Sequence, residues 1–294
     1  MRNYKCHSLI IGGTGQFGIS LKNQLNKKKQ NVIITSRSKK SRIKNKFFEV
    51  VVLDIYNKEK IFKIIKKYKP QNIFYFAGQS SPSISFVKKK ETLRSNYNGC
   101  KNVLECVYEI NKDIKFIYAA SSEMYGKING KISLKSKKIP VNPYGISKLK
   151  GFNLTKLYRE KYNLNTYSAI IFNTESTLRD KSFFIPKVCM AAINAYKYNL
   201  KTKFGNLDIK REWNWCDDQC ELLIKFLKKE PQDFIISNGK SLSAKKMLKF
   251  AFDYFNLDYK KYVIQDKKLL RPTDISIKIS NNRESWAKNN ITKK

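Results

Sequence analysis

The stretch Gly12-Gly13-Thr14-Gly15-Gln16-Phe17-Gly18 follows the apolar run Leu9-Ile10-Ile11 and precedes a segment with helical periodicity. Four of the chain's 12 glycines fall within these seven residues. Glycines at this spacing let the backbone turn tightly and approach a pyrophosphate, which the N-terminus of the following helix then binds. The stretch therefore predicts a dinucleotide-binding loop in which Gly12, Gly15, Gln16, Phe17 and Gly18 contact the cofactor.

Short apolar runs alternate with helix-period segments through the first half of the chain. Strand candidates lie at 8–12, 31–36, 48–53, 72–77, 114–121 and 165–172, and helical segments lie near 16–29, 57–69, 86–111 and 144–162. This alternation is typical of a parallel sheet covered by helices on both faces. The predicted fold class is α/β, a Rossmann-type doubly wound parallel sheet with a smaller C-terminal lobe.

The alternation weakens in the second half of the chain. We expect a helix from Pro186 to about Tyr198, a loop-like segment at 204–215, a helix near 217–229, a short strand at 235–239, and a helix capped by Ser243. The predicted division is a dinucleotide-binding domain over residues 1–172 and a mainly substrate-binding lobe over 173–294. Residues 213–238 are expected to return to the first domain.

The formal net charge is +37 over 294 residues. A charge of this size suggests a nucleic-acid partner. The lysines, however, are scattered along the whole chain and fall on most predicted helix faces. We therefore expect a lysine-coated surface and no nucleic-acid partner.

The sequence shows no apolar run near the ~20 residues of a membrane span, and its first apolar segment is too short for a signal peptide. The six cysteines form no Cys-x-x-Cys pair, and the chain has one histidine, so no zinc site of ordinary ligand spacing is expected. These features predict a cytoplasmic protein with reduced cysteines, no metal and no membrane contact.

The ends of the second and third strands bear on the choice of cofactor. The second strand ends in Thr35-Ser36-Arg37-Ser38, where an NAD enzyme usually places an acid for the ribose hydroxyl. The missing acid and the presence of Arg37 favour NADP over NAD. Asp54, with Ile55 beside it, follows the third strand and is either a contact to the adenine or a helix N-cap.

Tyr-x-x-x-Lys occurs four times, beginning at Tyr56, Tyr97, Tyr108 and Tyr144. The copy at Tyr144 begins a helix directly after a proline and follows the strand that ends at Ser121. One helical turn places Lys148 on the same face as Tyr144. A nearby ammonium lowers the pKa of a phenol, so we expect Tyr144 to act as a base near neutral pH and Ser121 to bind a substrate hydroxyl.

Glu123 lies two residues after Ser121, at the edge of the sheet where ligands of open α/β sheets bind. A second base beside Tyr144 suggests that a C–H proton is removed as well as a hydroxyl proton, which is the chemistry of a dehydratase. The alternative is a solvated loop carboxylate or a salt-bridge partner, which is common in a lysine-rich protein.

Together these residues resemble the extended short-chain dehydrogenase/reductase superfamily, and within it the GDP-mannose 4,6-dehydratases. The narrower resemblance rests on blocks that are similar to family motifs: Ala77-Gly78-Gln79-Ser80, Ser85-Phe86, Phe172-Asn173-Thr174-Glu175-Ser176, Gly205-Asn206-Leu207-Asp208-Ile209-Lys210-Arg211-Glu212-Trp213 and Leu270-Arg271-Pro272-Thr273-Asp274. The block from Gly205 to Trp213 is the most specific, and the resemblance covers residues 8 to about 280.

The resemblance implies a redox-neutral conversion of GDP-mannose to a 4-keto-6-deoxy sugar nucleotide. Ser121, Glu123, Tyr144 and Lys148 would be catalytic, and Ala77 and Gln79 would contact the cofactor together with Tyr144 and Lys148. The residues implied for the nucleotide sugar are Ser85, Asn173, Lys187, Asn206, Arg211 and Arg271, with the arginines facing its phosphates.

The chain departs from the family at several positions. Ser121 stands where threonine is usual, and Thr174 replaces a histidine. The segment Thr177-Leu178-Arg179-Asp180 replaces a Pro-Arg-Arg-Gly loop that reaches a neighbouring subunit's cofactor site, and Pro186 stands where an arginine is usual. We therefore expect a homodimer and leave the family's tetramer open.

Two other functions stay open from the sequence. A related NAD(P)-dependent 4-reductase or epimerase would share the Gly205–Trp213 block and an acid after the strand-end serine. A non-catalytic relative would bind cofactor or RNA through its basic surface, although the intact serine, glutamate, tyrosine and lysine argue against lost catalysis.

Overall fold

The structure, a computed structural model, describes residues 6–38, 48–270 and 277–281. The strands in these ranges are β1 (Ser8–Ile11), β2 (Val32–Ser36), β3 (Phe48–Val52), β4 (Asn72–Tyr75), β5 (Lys115–Ser121), β6 (Gly130–Ile132), β7 (Thr166–Ile171), β8 (Thr174–Glu175), β9 (Thr202–Phe204), β10 (Lys210–Glu212), β11 (Asn214–Trp215), β12 (Asp233–Ile236), β13 (Ser241–Ser243), β14 (Val263–Gln265) and β15 (Ile277–Ser280). The α-helices are α1 (Gln16–Lys27), α2 (Lys58–Tyr68), α3 (Pro82–Val87), α4 (Lys89–Leu93), α5 (Gly99–Ile110), α6 (Pro143–Tyr162), α7 (Phe184–Tyr198), α8 (Cys216–Phe226) and α9 (Ala244–Asp253).

A parallel sheet of seven strands lies at the centre, in the order β12-β7-β5-β4-β1-β2-β3. From β1 the chain proceeds outward through β2 and β3, and then returns to the other side of β1 with β4. This reversal between β1 and β4 creates a crevice at the carboxyl ends of the strands, which is where ligands of doubly wound sheets bind. The predicted α/β fold class is confirmed.

The two faces of the sheet are buried in separate apolar layers because successive strand residues point to opposite faces. Leu9 and Ile11 pack on the side covered by α2, α5 and α6, while Ile10 packs on the side covered by α1 and α8. Both layers consist of buried, closely packed side chains. This packing fixes the position of the strand ends and of the side chains that follow them.

A second sheet, in the order β13-β10-β15-β6, joins three strands of the C-terminal part to β6 of the first half, and an apolar cluster lies between α7 and α9. Glu212 in β10 ties this part together, because its carboxylate accepts hydrogen bonds from the backbone N–H groups of Gly239, at 2.8 Å, and Ser280. These bonds fix β10 and β15 relative to each other, and with them Arg211 and Lys278.

All six predicted strands of the first half are confirmed, with ends that shift by at most two residues. The predicted helix at 86–111 is wrong as a single element, since α3 begins at Pro82, Lys88 leaves helical geometry (φ −106°, ψ 48°), and residues 94–98 form a π-helical turn before α5. The predicted loop at 204–215 is also wrong, because it contains β10 and β11.

Ser243 caps α9 as predicted, by accepting a hydrogen bond from the N–H of Lys246 at 3.1 Å. Strand β12 joins the seven-stranded sheet beside β7, and it lies within residues 213–238, which were expected to return to the first domain. Among the helices of the described ranges, none combines the length and the apolar character that crossing a bilayer would need.

Candidate active site

The glycine-rich loop lies between β1 and α1 at the crevice. Gly12 has φ +87°, and a Cβ atom there would lie 2.6 Å from the backbone nitrogen of Ala77. A Cβ atom on Gly18 would lie 2.4 Å from Gly13, so the loop packs directly on the first turn of α1. Gly15 is the N-cap of α1 and has no side chain to cap the first N–H groups of the helix, as is typical of a phosphate-binding loop.

The neighbouring strand ends carry the other residues predicted for the cofactor. Arg37 is exposed directly after β2, and Ile55 is half-buried after β3. Asp54 accepts a hydrogen bond from the N–H of Tyr56 at 3.0 Å, while Asn57 caps α2. The alternative that Asp54 caps this helix is therefore wrong, because the helix begins at Lys58, four residues later, with Asn57 as its N-cap.

The segment after β4 lies on the other side of the crevice. Ala77 contacts the glycine loop, and the side chain of Gln79 makes two hydrogen bonds to the backbone of Ser81, at 2.7 and 2.9 Å. Ser85 is fully buried in α3, where its hydroxyl donates to the carbonyl of Pro82 at 2.6 Å. The serine predicted for the substrate therefore bonds within its own helix in this structure.

Ser121, Tyr144 and Lys148 meet at the end of β5. Lys148 donates from Nζ to the carbonyl oxygen of Ala119 at 2.8 Å, which fixes the first turns of α6 against β5. The Ser121 hydroxyl lies close to the Tyr144 phenol, whose pKa it lowers. Asn142 caps α6 by accepting a hydrogen bond from the N–H of Gly145 at 2.7 Å. This cap fixes the start of the helix that carries Tyr144.

Burial is the largest influence on the pKa values of Tyr144 and Lys148. It raises the pKa of Tyr144 to about 12, against the lowering effects of the Ser121 hydroxyl and of Arg179. Burial also lowers the pKa of Lys148 to about 8. Desolvation of the phenolate outweighs the nearby charges here, so the pKa of Tyr144 lies above its ordinary value, and the role of Lys148 in lowering it stays a prediction.

Glu123 follows Ser121 in a single 3₁₀ turn and has a partner on each carboxylate oxygen. Lys278 of β15 donates to Oε1 at 2.8 Å, and Asn142 donates from Nδ2 to Oε2 at 2.9 Å. Burial raises the pKa of Glu123, but the charge and hydrogen bond of Lys278, the Asn142 bond and the charge of Arg211 bring it down to about 2. Glu123 is therefore an ion-paired carboxylate at neutral pH.

Asn142 and Lys278 are absent from the sequence-based site. Asn142 had a readable signal, since an asparagine before a proline is typical of a helix N-cap. Lys278 had none, because nothing local distinguishes it from the other lysines of the chain.

A second buried pair, Glu175 and Arg179, also escaped the sequence prediction. Arg179 Nε lies 4.0 Å from Glu175 Oε2, and within the described residues neither atom has a hydrogen-bond partner. Burial raises the pKa of Glu175 to about 7 despite Arg179. The charge of Arg179 also lowers the pKa of Tyr144, so this pair lies near Tyr144.

The residues predicted for the substrate occupy several elements of the C-terminal part. Arg211 is buried in β10 and lies near Glu123, whose pKa it lowers. Lys187 in α7 has Nζ 4.8 Å from the ring of Phe204, and Asn206 accepts from the N–H of Asp208 at 2.9 Å. Asn173 follows β7, and Arg271 lies outside the described residues.

This arrangement places a phenol and an ionised carboxylate at one strand end, beside an uncapped helix N-terminus. A phenol and a lysine suit oxidation of an alcohol by hydride removal. A carboxylate a few residues away suits removal of a proton from carbon next to the resulting ketone.

Comparison with known protein sequences finds GDP-mannose 4,6 dehydratases. The GDP-mannose 4,6 dehydratase family profile matches residues 9–288. GDP-mannose 4,6 dehydratase 1 of Arabidopsis thaliana is 33% identical over 214 residues, which are 70% of this chain and 59% of that protein. The human GDP-mannose 4,6 dehydratase is 32% identical, over 68% of this chain and 55% of its own length. The matched region thus spans little more than half the length of these relatives.

Solved structures show the same fold at low sequence identity. A dTDP-glucose 4,6-dehydratase of Streptomyces venezuelae with NAD bound superposes with a TM-score of 0.84 at 18% identity, covering 97% of this chain and 92% of that chain. The UDP-glucose 4-epimerase of Thermus thermophilus, in complex with NAD, gives 0.82 at 17% identity and covers 94% and 90%.

Proposed function

The chain belongs to the GDP-mannose 4,6 dehydratase family, and on this premise we propose that it is a nucleotide-sugar 4,6-dehydratase with NADP as cofactor. The proposed reaction converts GDP-mannose to GDP-4-keto-6-deoxymannose and water. The observation that carries the proposal is the Glu123 carboxylate, held by Asn142 next to the Ser121–Tyr144 pair.

Support for a dinucleotide comes from the crevice. A Cβ atom on Gly12 would fill the space between the loop and Ala77, and the uncapped start of α1 offers N–H groups to a pyrophosphate. The proposal names NADP because exposed Arg37 stands where a ribose 2′-phosphate would be bound, and NAD is the alternative. When bound, the oxidised cofactor accepts one hydride and later returns it, so the reaction consumes no reductant.

The chain's own residues would move the protons. Ser121 orients the C4 hydroxyl, and Tyr144 takes its proton as hydride leaves C4. The ketone acidifies the hydrogen on C5, which Glu123 would remove as a proton, and that proton would leave with the C6 hydroxide as water. With hydride restored at C6, the proton taken up by Tyr144 would be restored at C5, which gives the 4-keto-6-deoxy sugar. Lys148 holds β5 and α6 together through Ala119 while these transfers occur.

Recognition of the nucleotide sugar is assigned to residues of both parts of the chain. Arg211 supplies a buried cation near Glu123, and we extend the assignment to Asn173, Lys187, Asn206, Ser85 and Arg271 on the strength of the family motifs. The proposed assembly is a homodimer, and the proposed domain division is at residue 172.

Incubation with GDP-mannose and NADP+ tests the reaction. The expected result is a 4-keto-6-deoxy product, identified by mass and NMR, with no net formation of NADPH. The Glu123→Gln variant should still bind NADP and nucleotide sugar but should form no dehydrated product. Near-normal turnover by this variant would remove Glu123 from its assigned role.

A 4-reductase or epimerase is the second candidate, and one observation favours it. Both oxygens of Glu123 are engaged, and its pKa of about 2 makes it a weak base. Neither reduction nor epimerisation at C4 needs proton removal at C5. NADPH-dependent reduction of a keto sugar, without dehydration of GDP-mannose, would establish this alternative.

A further inference from the structure

We propose that Lys278 is a positioning residue for the reaction, which fixes the Glu123 carboxylate and keeps it ionised in the site. The proposal rests on the function assigned to Glu123 above. It adds a residue from a strand that lies 155 positions further along the chain.

The geometry places Lys278 at Glu123 without freedom to move far. Its side chain is 3% exposed, and Nζ lies 2.8 Å from Oε1. Strand β15 is held between β10 and β6, and the Glu212 carboxylate binds the backbone of Ser280 two residues later. The ammonium group of Lys278 is therefore held in a fixed position beside the Glu123 carboxylate.

The two partners of Glu123 bind different oxygens of its carboxylate and have different effects. Asn142 binds Oε2 and also caps α6, so it ties the carboxylate to the helix that carries Tyr144. Lys278 binds Oε1 and supplies a full positive charge to a side chain that is 21% exposed. A bond to each oxygen fixes the plane of the carboxylate relative to the phenol.

Within residues 6–38, 48–270 and 277–281, the charged and titratable groups facing Glu123 come from three elements. They are Lys278 on β15, Arg211 on β10 and Tyr144 on α6. Burial disfavours the carboxylate, and of these groups Lys278 stabilises it most, through both its charge and its hydrogen bond. If Lys278 is removed, Arg211 and Asn142 remain, so the pKa of Glu123 should rise by about 1–3 units rather than by the full effect of burial.

The test compares Lys278→Met with Lys278→Arg, which keeps the cation, and with Lys131→Met as a control. Lys131 lies on the adjacent strand β6, opposite Ile279, and its side chain is exposed. In wild type and the Lys131→Met control, the acid limb of kcat/KM for GDP-mannose dehydration should lie below about pH 4. In Lys278→Met it should move up by about 1–3 pH units, and Lys278→Arg should return it toward wild type.

A readout without turnover separates this proposal from the function on which it rests. Infrared difference spectra between each protein and its Glu123→Gln counterpart isolate the carboxyl band of Glu123. The carboxylic-acid band should appear at higher pH in Lys278→Met than in wild type, whether or not GDP-mannose is dehydrated. If no protein dehydrates GDP-mannose but the Glu123 band still shifts in Lys278→Met, the dehydratase assignment is wrong. The proposed effect of Lys278 on the Glu123 carboxylate is then still supported.

Two results would overturn the proposal. One is a Lys278→Met protein, folded by circular dichroism, whose pH profile is uniformly lower but has an unmoved acid limb. The other is a Glu123 carboxyl band that titrates at the same pH in wild type and Lys278→Met. If Lys278→Met does not fold, the acid limb of kcat/KM and the Glu123 infrared band are compared between Lys278→Arg and wild type. Both must then agree with wild type for the proposal to hold.

Discussion

Glu175→Gln should change how stability depends on pH. Glu175 in β8 is 8% exposed, and Arg179 lies 4.0 Å away without a direct hydrogen bond. Burial raises the pKa of the carboxyl from 4.5 to about 7 in the folded protein. The folded state therefore binds the proton more tightly than the unfolded state, and its stabilising contribution is full below about pH 4.5 and is lost as pH rises through 7.

The magnitude follows from that difference in pKa. A rise from 4.5 to about 7 corresponds to about 3 kcal/mol of unfolding free energy lost between the two pH values. The glutamine does not titrate, so Glu175→Gln should gain about 3 kcal/mol relative to wild type between pH 4.5 and pH 8. Any constant cost of leaving Arg179 without its counter-ion cancels in this comparison.

Urea unfolding at a series of pH values measures the effect. Glu160→Gln serves as the control, since Glu160 lies on the surface of α6, 61% exposed and 3.6 Å from Lys156. The control should run parallel to wild type. If the difference between Glu175→Gln and wild type also stays constant from pH 4.5 to 8, burial does not set the protonation of Glu175.

Three further changes test the site. Gly12→Ala should cost about 1–3 kcal/mol of stability and abolish NADP binding, because its Cβ atom would meet Ala77. Gly130→Ala is the matched control, since Gly130 has φ +107° but nothing within 4 Å of an added Cβ atom. Calorimetry should find a smaller loss of stability for Gly130→Ala than for Gly12→Ala. Arg37→Ala should weaken NADP binding by about 10–100-fold and leave NAD unchanged in a fluorescence titration. Tyr144→Phe should lower kcat by about 10²–10⁴-fold with GDP-mannose affinity retained, and a smaller loss would deny it the role of base.

The parts of the fold that local sequence specifies were predictable. The glycine loop, the six strands and the Ser243 cap each depend on a few consecutive residues and were found where expected. The short strands β10 and β11 were missed because they pair with distant segments, β13, β15 and β8, so their own three or two residues carry little signal.

The electrostatics of the site were harder to read from sequence. The structure places Tyr144 beside Ser121, and the pKa of Tyr144 is raised by burial, which depends on the whole fold. The ion pair of Glu123 joins residues 155 positions apart, and a chain with 60 lysines and arginines offers no way to single out Lys278.

Transfer of hydrogen within the sugar is the most direct test of the proposed dehydratase. GDP-mannose carrying deuterium at C4 is converted in ordinary water, and the product is examined by mass spectrometry and NMR. If the chain is a 4,6-dehydratase, the deuterium should appear at C6 of the 4-keto-6-deoxy product. Loss of the label to water, its appearance in free NADPH, or recovery of unchanged GDP-mannose would contradict this function.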